Sequence, residues 1–380
     1  MTMWKLREAC CAARAWGTAV MALAAGAVTA GVVTAGVVIA GEPMPLAEGV
    51  RGVATRAPRG MKIDGNLQEF QGAFCTPVCY FETNLDADVY NRGAQFFYMW
   101  DDEAFYAGLR TLDQRQANHA PDDRLWEGDG VEWYFDTRRG PDFRSPQWGP
   151  GAVHMYWTAY KGTELNPRWC LRPDMLQAIP GVGIEVAARR TDYGAEVEFK
   201  LPWANFPGFA PKPGVAIGLD AELCYSDGEG RVFRTFAYGS PLSVQQPASL
   251  ARVQLVESLE PEYWRACGPA MLPMRCDTAW LQPTAAQVTA LLALPPDHRD
   301  LIGRVVFRLL GLEGRVISEY EAEIETLQAE GRFYRAVAHW PVDAAAPGGH
   351  HVLGIVYDPS GKELARVAPR LVSIHNTPGY

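Results

Sequence analysis

Trp126 stands six residues before Glu132, and this pairing is the first feature of the chain with chemical content. The C–H face of a pyranose is apolar and covers an indole well, while its hydroxyl rim needs fixed acceptors such as a carboxylate. A tryptophan beside a glutamate is therefore suited to gripping a sugar. The alternative is an edge aromatic that merely covers a core. Residues 130–136 read as a strand, whose alternation puts Glu132, Tyr134 and Asp136 on one face and Val131, Trp133 and Phe135 on the other. The second set is expected in the core and the first around a ligand. In the following strand His154 and Tyr156 share a face that either lines the same slot or forms a satisfied polar pair. Asp129, in the turn before Glu132, is read as a loop cap, with a calcium ligand as the alternative and no cofactor required.

Other chemistries find less support. Asp129, Glu132, Glu196 and Glu198 are the carboxylates a glycoside hydrolase would draw on, but such an enzyme needs two held about 5–10 Å apart with unequal acidity. No spacing identifies that pair. The chain has no G-x-S-x-G elbow, Walker loop or H-E-x-x-H helix. It also has no C-x-x-C-H motif, which excludes covalently attached haem and leaves Met99, His154 and Met155 as candidate ligands of a non-covalent one. Zinc would need a second close pair or convergent histidines beside Cys75 and Cys79, and neither is present. Cys75/Cys79 and Cys267/Cys276 are the local pairs that could form disulfides, with buried thiols as the alternative.

The elements that must hold these residues are strands. From Ala94 onward short runs rich in Val, Tyr, Phe and Trp alternate with Gly, Pro, Asp and Asn, predicting strands at 95–100, 104–110, 130–136, 154–161, 183–190, 194–201, 215–226 and 251–256. Short strands without a long amphipathic helix point to an antiparallel sandwich. The 380 residues exceed the usual size of one domain, and a Pro-rich stretch near 260–273 precedes a second run of alternating segments. There, 319–330 could instead be a short helix, and His350 and His351 read as a solvated pair on opposite faces of a strand. The expected fold class is all-β: a jelly-roll-like β-sandwich over 61–257 and a smaller immunoglobulin-like sandwich over 280–375, with linkers at 41–60 and 258–279. The net charge of −9, without a Lys/Arg cluster, argues against a nucleic-acid partner.

Three runs resemble family 9 carbohydrate-binding modules. Ile63-Asp64-Gly65-Asn66-Leu67 resembles the turn by which that family enters its sandwich. Tyr98-Met99-Trp100-Asp101-Asp102-Glu103-Ala104-Phe105-Tyr106 is similar to its first hairpin, and Trp126 through Asp136 carries the tryptophan and glutamate at the family's spacing. The resemblance implies that Trp126 walls a slot around a terminal sugar whose hydroxyls bond Glu132. It implies a core position for Trp203, because 196–203 resembles the family's E-x-x-I-P-W strand end. The family's second sandwiching tryptophan corresponds to Phe236, which offers less area and no N–H donor.

Residues 1–40 have the order of an export signal: Lys5, Arg7 and Arg14, then an uncharged Ala/Val/Gly-rich run ending in Val38-Ile39-Ala40. An uncleaved membrane anchor is the alternative, and either implies a secreted, periplasmic or cell-surface protein. The expected function is non-catalytic binding of polysaccharide or oligosaccharide ends in carbohydrate catabolism. The alternatives are a hydrolase acting on O-glycosyl bonds and a haem-binding electron-transfer sandwich.

Overall fold

The computed structural model describes residues 43–78, 80–81, 93–138, 145–176, 178–238, 241–267, 274–278, 287–294, 302–328, 333–341, 348–366 and 370–374. The expected export signal and Cys79 lie outside them. No helix among the described residues is long and apolar enough to cross a membrane.

The first region contains thirteen strands: β1 (Val50–Arg56), β2 (Phe74–Val78), β3 (Tyr80–Phe81), β4 (Gly93–Trp100), β5 (Ala104–Leu112), β6 (Gly130–Asp136), β7 (Ala152–Lys161), β8 (Glu164–Leu171), β9 (Glu185–Thr191), β10 (Gly194–Pro202), β11 (Ala216–Ser226), β12 (Arg231–Phe236) and β13 (Ala251–Leu255). They run in the order β8-β7-β6-β11-β13-β1-β4-β5-β10-β9, with β12 beside β11, β3 beside β12 and β2 beside β4. The order folds into two faces because β1 changes partner. Val50 to Ala54 pair in parallel with β13, and Thr55 and Arg56 pair in parallel with β4. All other pairings of this region are antiparallel, as expected.

All eight predicted strands form, with ends shifted by a residue or two. Five strands, β1, β2, β3, β8 and β12, were not predicted. β1 falls in the expected 41–60 linker, yet its Val53 and Ala54 are completely buried between the sheets. β8 carries Pro167 and is largely exposed at the sheet edge, where a proline costs no ladder bond. The expected 258–279 linker contains α1 (Pro261–Cys267), whose Tyr263, Trp264 and Cys267 close one end of the core. Cys267 is therefore a buried thiol near the Val50 carbonyl, not half of a disulfide with Cys276.

The core is aromatic. Val131, Trp133 and Phe135 point into it, as alternation requires, and Trp133 meets Phe199 at 4.8 Å and both Phe105 and Trp157 at 5.9 Å between ring centroids. Each such ring contributes about 1.5–3 kcal/mol through burial. The motif residues outside the core have structural work. Asp101 Oδ1 accepts the Glu103 and Ala104 N–H groups and its Oδ2 accepts the Tyr106 hydroxyl, while its carbonyl accepts the Trp203 indole N–H. That explains the Asp-Asp hairpin and the buried Trp203 together. Glu198 Oε2 accepts the N–H groups of Asp64 and Gly65 at 2.7 Å each, which pins the entry turn.

The second region holds two antiparallel sheets. β14 (Met274–Thr278), β15 (Gln287–Leu294), β19 (Phe333–Pro341) and β18 (Glu323–Gln328) form one. The other joins β17 (Val316–Glu321), β16 (Arg304–Gly311), β20 (Gly348–Tyr357) and β21 (Glu363–Arg366), with β22 (Arg370–Ile374) also on β20. No described strand of this region pairs with the first sandwich. The short helix considered for 319–330 is instead the strand pair β17 and β18: in β17 the partly buried Ser318 and Tyr320 alternate with exposed Ile317, Glu319 and Glu321, the two-residue period of a strand. His350 is buried and bonded to the Gly348 carbonyl, so the histidine pair is not fully solvated.

Candidate functional site

Register assembles a polar row on the outer face of β12, β11, β6, β7 and β8. Phe236 lies opposite Glu222, Glu222 opposite Glu132, Glu132 opposite Tyr156 and Tyr156 opposite Cys170. One row along, Asp220, Tyr134 and His154 align in the same way. Alternation thus separates polar from core positions as expected, but Glu132, Tyr134 and Asp136 are buried too.

Glu132 is the hub. Its Oε2 bonds His154 Nε2 at 2.9 Å and lies 3.1 Å from the Tyr134 hydroxyl, and its Oε1 accepts from Arg231 Nη1 at 2.9 Å. The same Arg231 nitrogen donates to Glu222 Oε1 at 3.0 Å, and Arg234 Nη1 reaches both oxygens of Glu222 at 3.2 and 3.3 Å. Tyr134 also lies 2.9 Å from Glu222 Oε2. Burial opposes ionisation of Glu132, but His154, Arg231 and Tyr134 together outweigh it and hold the carboxyl below its usual range. Burial and then the charge of Glu132 push Glu222 up to about 8, against Arg234 and Arg231. At neutral pH the pair therefore carries one negative charge, on Glu132. A phenol has one proton to give, so Tyr134 donates to one of the two carboxyls at a time.

Burial also lowers the His154 pKa despite Glu132, leaving the ring neutral at pH 7. Arg172 Nη1, which can only donate, lies 3.4 Å from Nδ1. Nδ1 is therefore the acceptor, and Nε2 carries the proton given to Glu132.

Trp126 reaches this network from a single 3-10 turn, Leu125–Glu127, anchored by buried Leu125 and by Asn118 Nδ2 on the Leu125 carbonyl. Its ring is half-buried, and the Arg231 guanidinium lies over it at 4.8 Å. The structure thus links Trp126, Glu132, Tyr134 and His154. Tyr156 is a buried support, its ring 5.0 Å from His154. Phe236 does not serve as the opposite wall: it is 2% exposed, two strands from Glu132, with the Arg234 guanidinium 5.4 Å above its ring. Trp148 is better disposed. Its half-buried ring lies 6.1 Å from Tyr134 and 5.9 Å from His154, and its buried indole N–H has no protein partner.

Asp129 takes the anchoring role. Its two carboxylate oxygens accept the backbone N–H groups of Ala117 and Ser226 at 2.6 and 2.8 Å, tying the Trp126 loop to the end of β11. Among the described residues, potential metal ligands converge at Glu132, Glu222 and Cys224 and not at Asp129. Arg231 already spans those two carboxylates.

Glu222, Arg231, Arg234 and Trp148 escaped the sequence reading. Glu222 had a signal, because Asp220, Glu222 and Cys224 alternate with Leu219, Ala221 and Leu223 as polar and core residues do in β6. Arg231 and Arg234 needed the register of β12, and Trp148 sits in a loop without period. The carboxylate pair that sequence spacing could not identify is Glu132 with Glu222, which Arg231 and Tyr134 bridge. Glu196 and Glu198 lie on the other sheet. The haem reading fails on geometry: Met155 faces the core, Met99 packs in a separate cluster with Leu67 and Phe70, and both ring nitrogens of His154 are engaged.

Residues 63–238 match the family model described as carbohydrate family 9 binding domain-like. Comparison with curated proteins gave no match. Among solved structures, the chain is similar to a family 9 carbohydrate-binding module from Caldicellulosiruptor kristjanssonii in complex with cellotriose, at 17% identity and a TM-score of 0.43, covering 55% of this chain and 94% of that one. The glucose complex of that module matches at 17% identity and 0.42, covering 55% and 96%. A carbohydrate-binding protein from Bacteroides uniformis, described as putative, matches at 13% identity and 0.34, covering 53% and 97%.

Proposed function

We propose, from the premise that residues 63–238 are a carbohydrate family 9 binding domain-like domain, that the outer face around Glu132 binds the end of an oligosaccharide or polysaccharide chain. The observation that carries this reading is the junction of two half-buried indoles, Trp126 and Trp148, with the Glu132, Tyr134 and His154 network. A pyranose would cover an indole face while its hydroxyls bond fixed polar groups. Arg231 spends only Nη1 on the two carboxylates, so its remaining N–H groups are suited to sugar hydroxyls.

The site is read as non-catalytic and independent of a cofactor, with calcium at Asp129 a dependence that chelation would reveal. The role extends to carbohydrate catabolism outside the cytoplasm, with export or membrane attachment through residues 1–40 and an immunoglobulin-like second sandwich. Calorimetric titration with glucose and cello-oligosaccharides tests the binding claim. Trp126→Ala and Trp148→Ala should each weaken binding by about 1–3 kcal/mol, the worth of a stacked ring on a sugar-sized ligand. Unchanged affinity in both variants would remove the site, and release of reducing ends by the purified protein would replace binding with hydrolysis.

A further inference from the structure

A second charged row lies on the outer face of the other sheet. Gln95, Arg110, Glu196 and Arg189 stand opposite one another across β4, β5, β10 and β9. The 3-10 helix Leu67–Gly72 packs beside this row because Gly108 has no side chain: a Cβ there would lie 2.8 Å from Leu67 Cδ2 and 3.2 Å from the Phe70 ring. The packed helix raises exposed Gln68 and Gln71 as a wall, and together with Phe97, Arg110, Arg189 and Glu196 they line a cleft of about 550 Å³. That volume falls within the range of about 300–1,000 Å³ typical of small-ligand sites.

The cleft differs chemically from the Glu132 site. Among its lining residues two guanidiniums, Arg110 and Arg189, flank the single carboxylate of Glu196, with Asp64 also acting on Arg189. Glu196 Oε1 accepts from Arg110 Nε at 3.2 Å and from the Tyr193 hydroxyl at 3.0 Å, and its Oε2 accepts from Arg189 Nε at 2.8 Å and from Arg189 Nη2. Arg110 Nη1 also donates to Gln95 at 3.0 Å. Each guanidinium carries five N–H groups, so both retain donors beyond these bonds. Glu196 fixes both forks in place, and preorganised forks lose little entropy when they bind a further anion. Stacking is not on offer, since the Arg110 guanidinium lies 5.1 Å over the Phe97 ring. What remains are cationic fork donors flanked by neutral amides. A ligand to match presents a carboxylate among hydroxyls.

We propose that this cleft is a second, independent saccharide site, selective for an acidic sugar whose uronate carboxylate pairs with Arg110 and Arg189 and whose hydroxyls bond Gln68 and Gln71. Nothing in it depends on the Glu132 site. The full chain should be titrated calorimetrically with trigalacturonate and with the same trimer fully methyl-esterified, which keeps the shape and removes the charge. The acid should bind, and the ester at least about tenfold more weakly, as should the acid to Arg189→Gln. Gln68→Glu places a negative charge on an exposed wall residue with no packing role, so it should weaken the acid similarly while leaving the melting temperature unchanged. Trp126→Ala should bind the acid as wild type does. No binding of the acid, equal binding of acid and ester, or unaltered binding by Gln68→Glu would overturn the proposal. Loss of binding in Trp126→Ala would do the same, by assigning the acid to the other face.

Discussion

Replacing Glu222 with glutamine isolates the carboxyl that the Glu132 network holds against ionisation. Glu222 is completely buried, and burial with the charge of Glu132 pushes its pKa up to about 8. In the unfolded chain it ionises at about 4.3. Between these values the folded protein keeps a proton that the unfolded chain has released. Stability therefore falls as pH rises through the window, with a limiting slope of about 1.4 kcal/mol per pH unit, and the loss is complete only above the folded pKa. Glu132, whose pKa is lowered, has the opposite sign, but its contribution is lost only as pH drops below the ordinary carboxylate range and is constant here. A glutamine side chain in this place would be neutral at every pH and can still hydrogen-bond Tyr134. Between about pH 5 and about pH 7.5 the Glu222→Gln protein should gain about 3 kcal/mol relative to wild type. Urea unfolding followed by tryptophan fluorescence at three pH values in that range measures the difference. Parallel pH profiles for the two proteins would refute the single shared charge.

Three further outcomes test the scaffold. Trp133→Ala empties the centre of the aromatic core and should cost about 3–5 kcal/mol in denaturant unfolding. Asp129→Asn turns a two-oxygen acceptor toward two N–H groups it cannot both satisfy; a loss of about 1–3 kcal/mol is expected, together with weaker sugar binding through the displaced Trp126 loop, read by calorimetry. Gly65→Ala should destabilise the entry turn measurably in a thermal melt, because Gly65 has φ of +87° and an added Cβ would lie 2.6 Å from the Ala188 carbonyl carbon. A melting temperature equal to wild type in that last variant would mean that the turn is free to move away from β9.

Much of the first sandwich could be read without coordinates. The two-residue period of Val131, Trp133 and Phe135 against Glu132, Tyr134 and Asp136 is a local property of any strand, so the inward and outward faces followed from spacing alone. The eight predicted strands followed from the same period and from Gly, Pro and Asp between them. β1 was missed because Val50-Arg51-Gly52-Val53-Ala54 has no clean alternation: it crosses from one sheet to the other, and both Val53 and Ala54 are buried. α1 was missed because a helix of seven residues leaves little periodic signal.

The sequence by itself determined which residues face outward on β6, that strands carry the chain, and that Trp126 and Glu132 stand at the spacing of the family the chain resembles. Only the tertiary structure decided who their partners are. Glu132 meets Glu222 through the pairing of β6 with β11, and both meet Arg231 through β12. Glu132 and Arg231 are 99 residues apart in the chain, a separation that no local period encodes. The same long-range pairing withdrew Phe236 from the slot and brought Trp148 to it from a loop. It also turned Glu196 and Glu198 from loose candidates for catalysis into the hub of an arginine pair and the anchor of the entry turn. Periodicity follows from the backbone and is written residue by residue, whereas charge pairing depends on register, which is fixed only when distant strands meet.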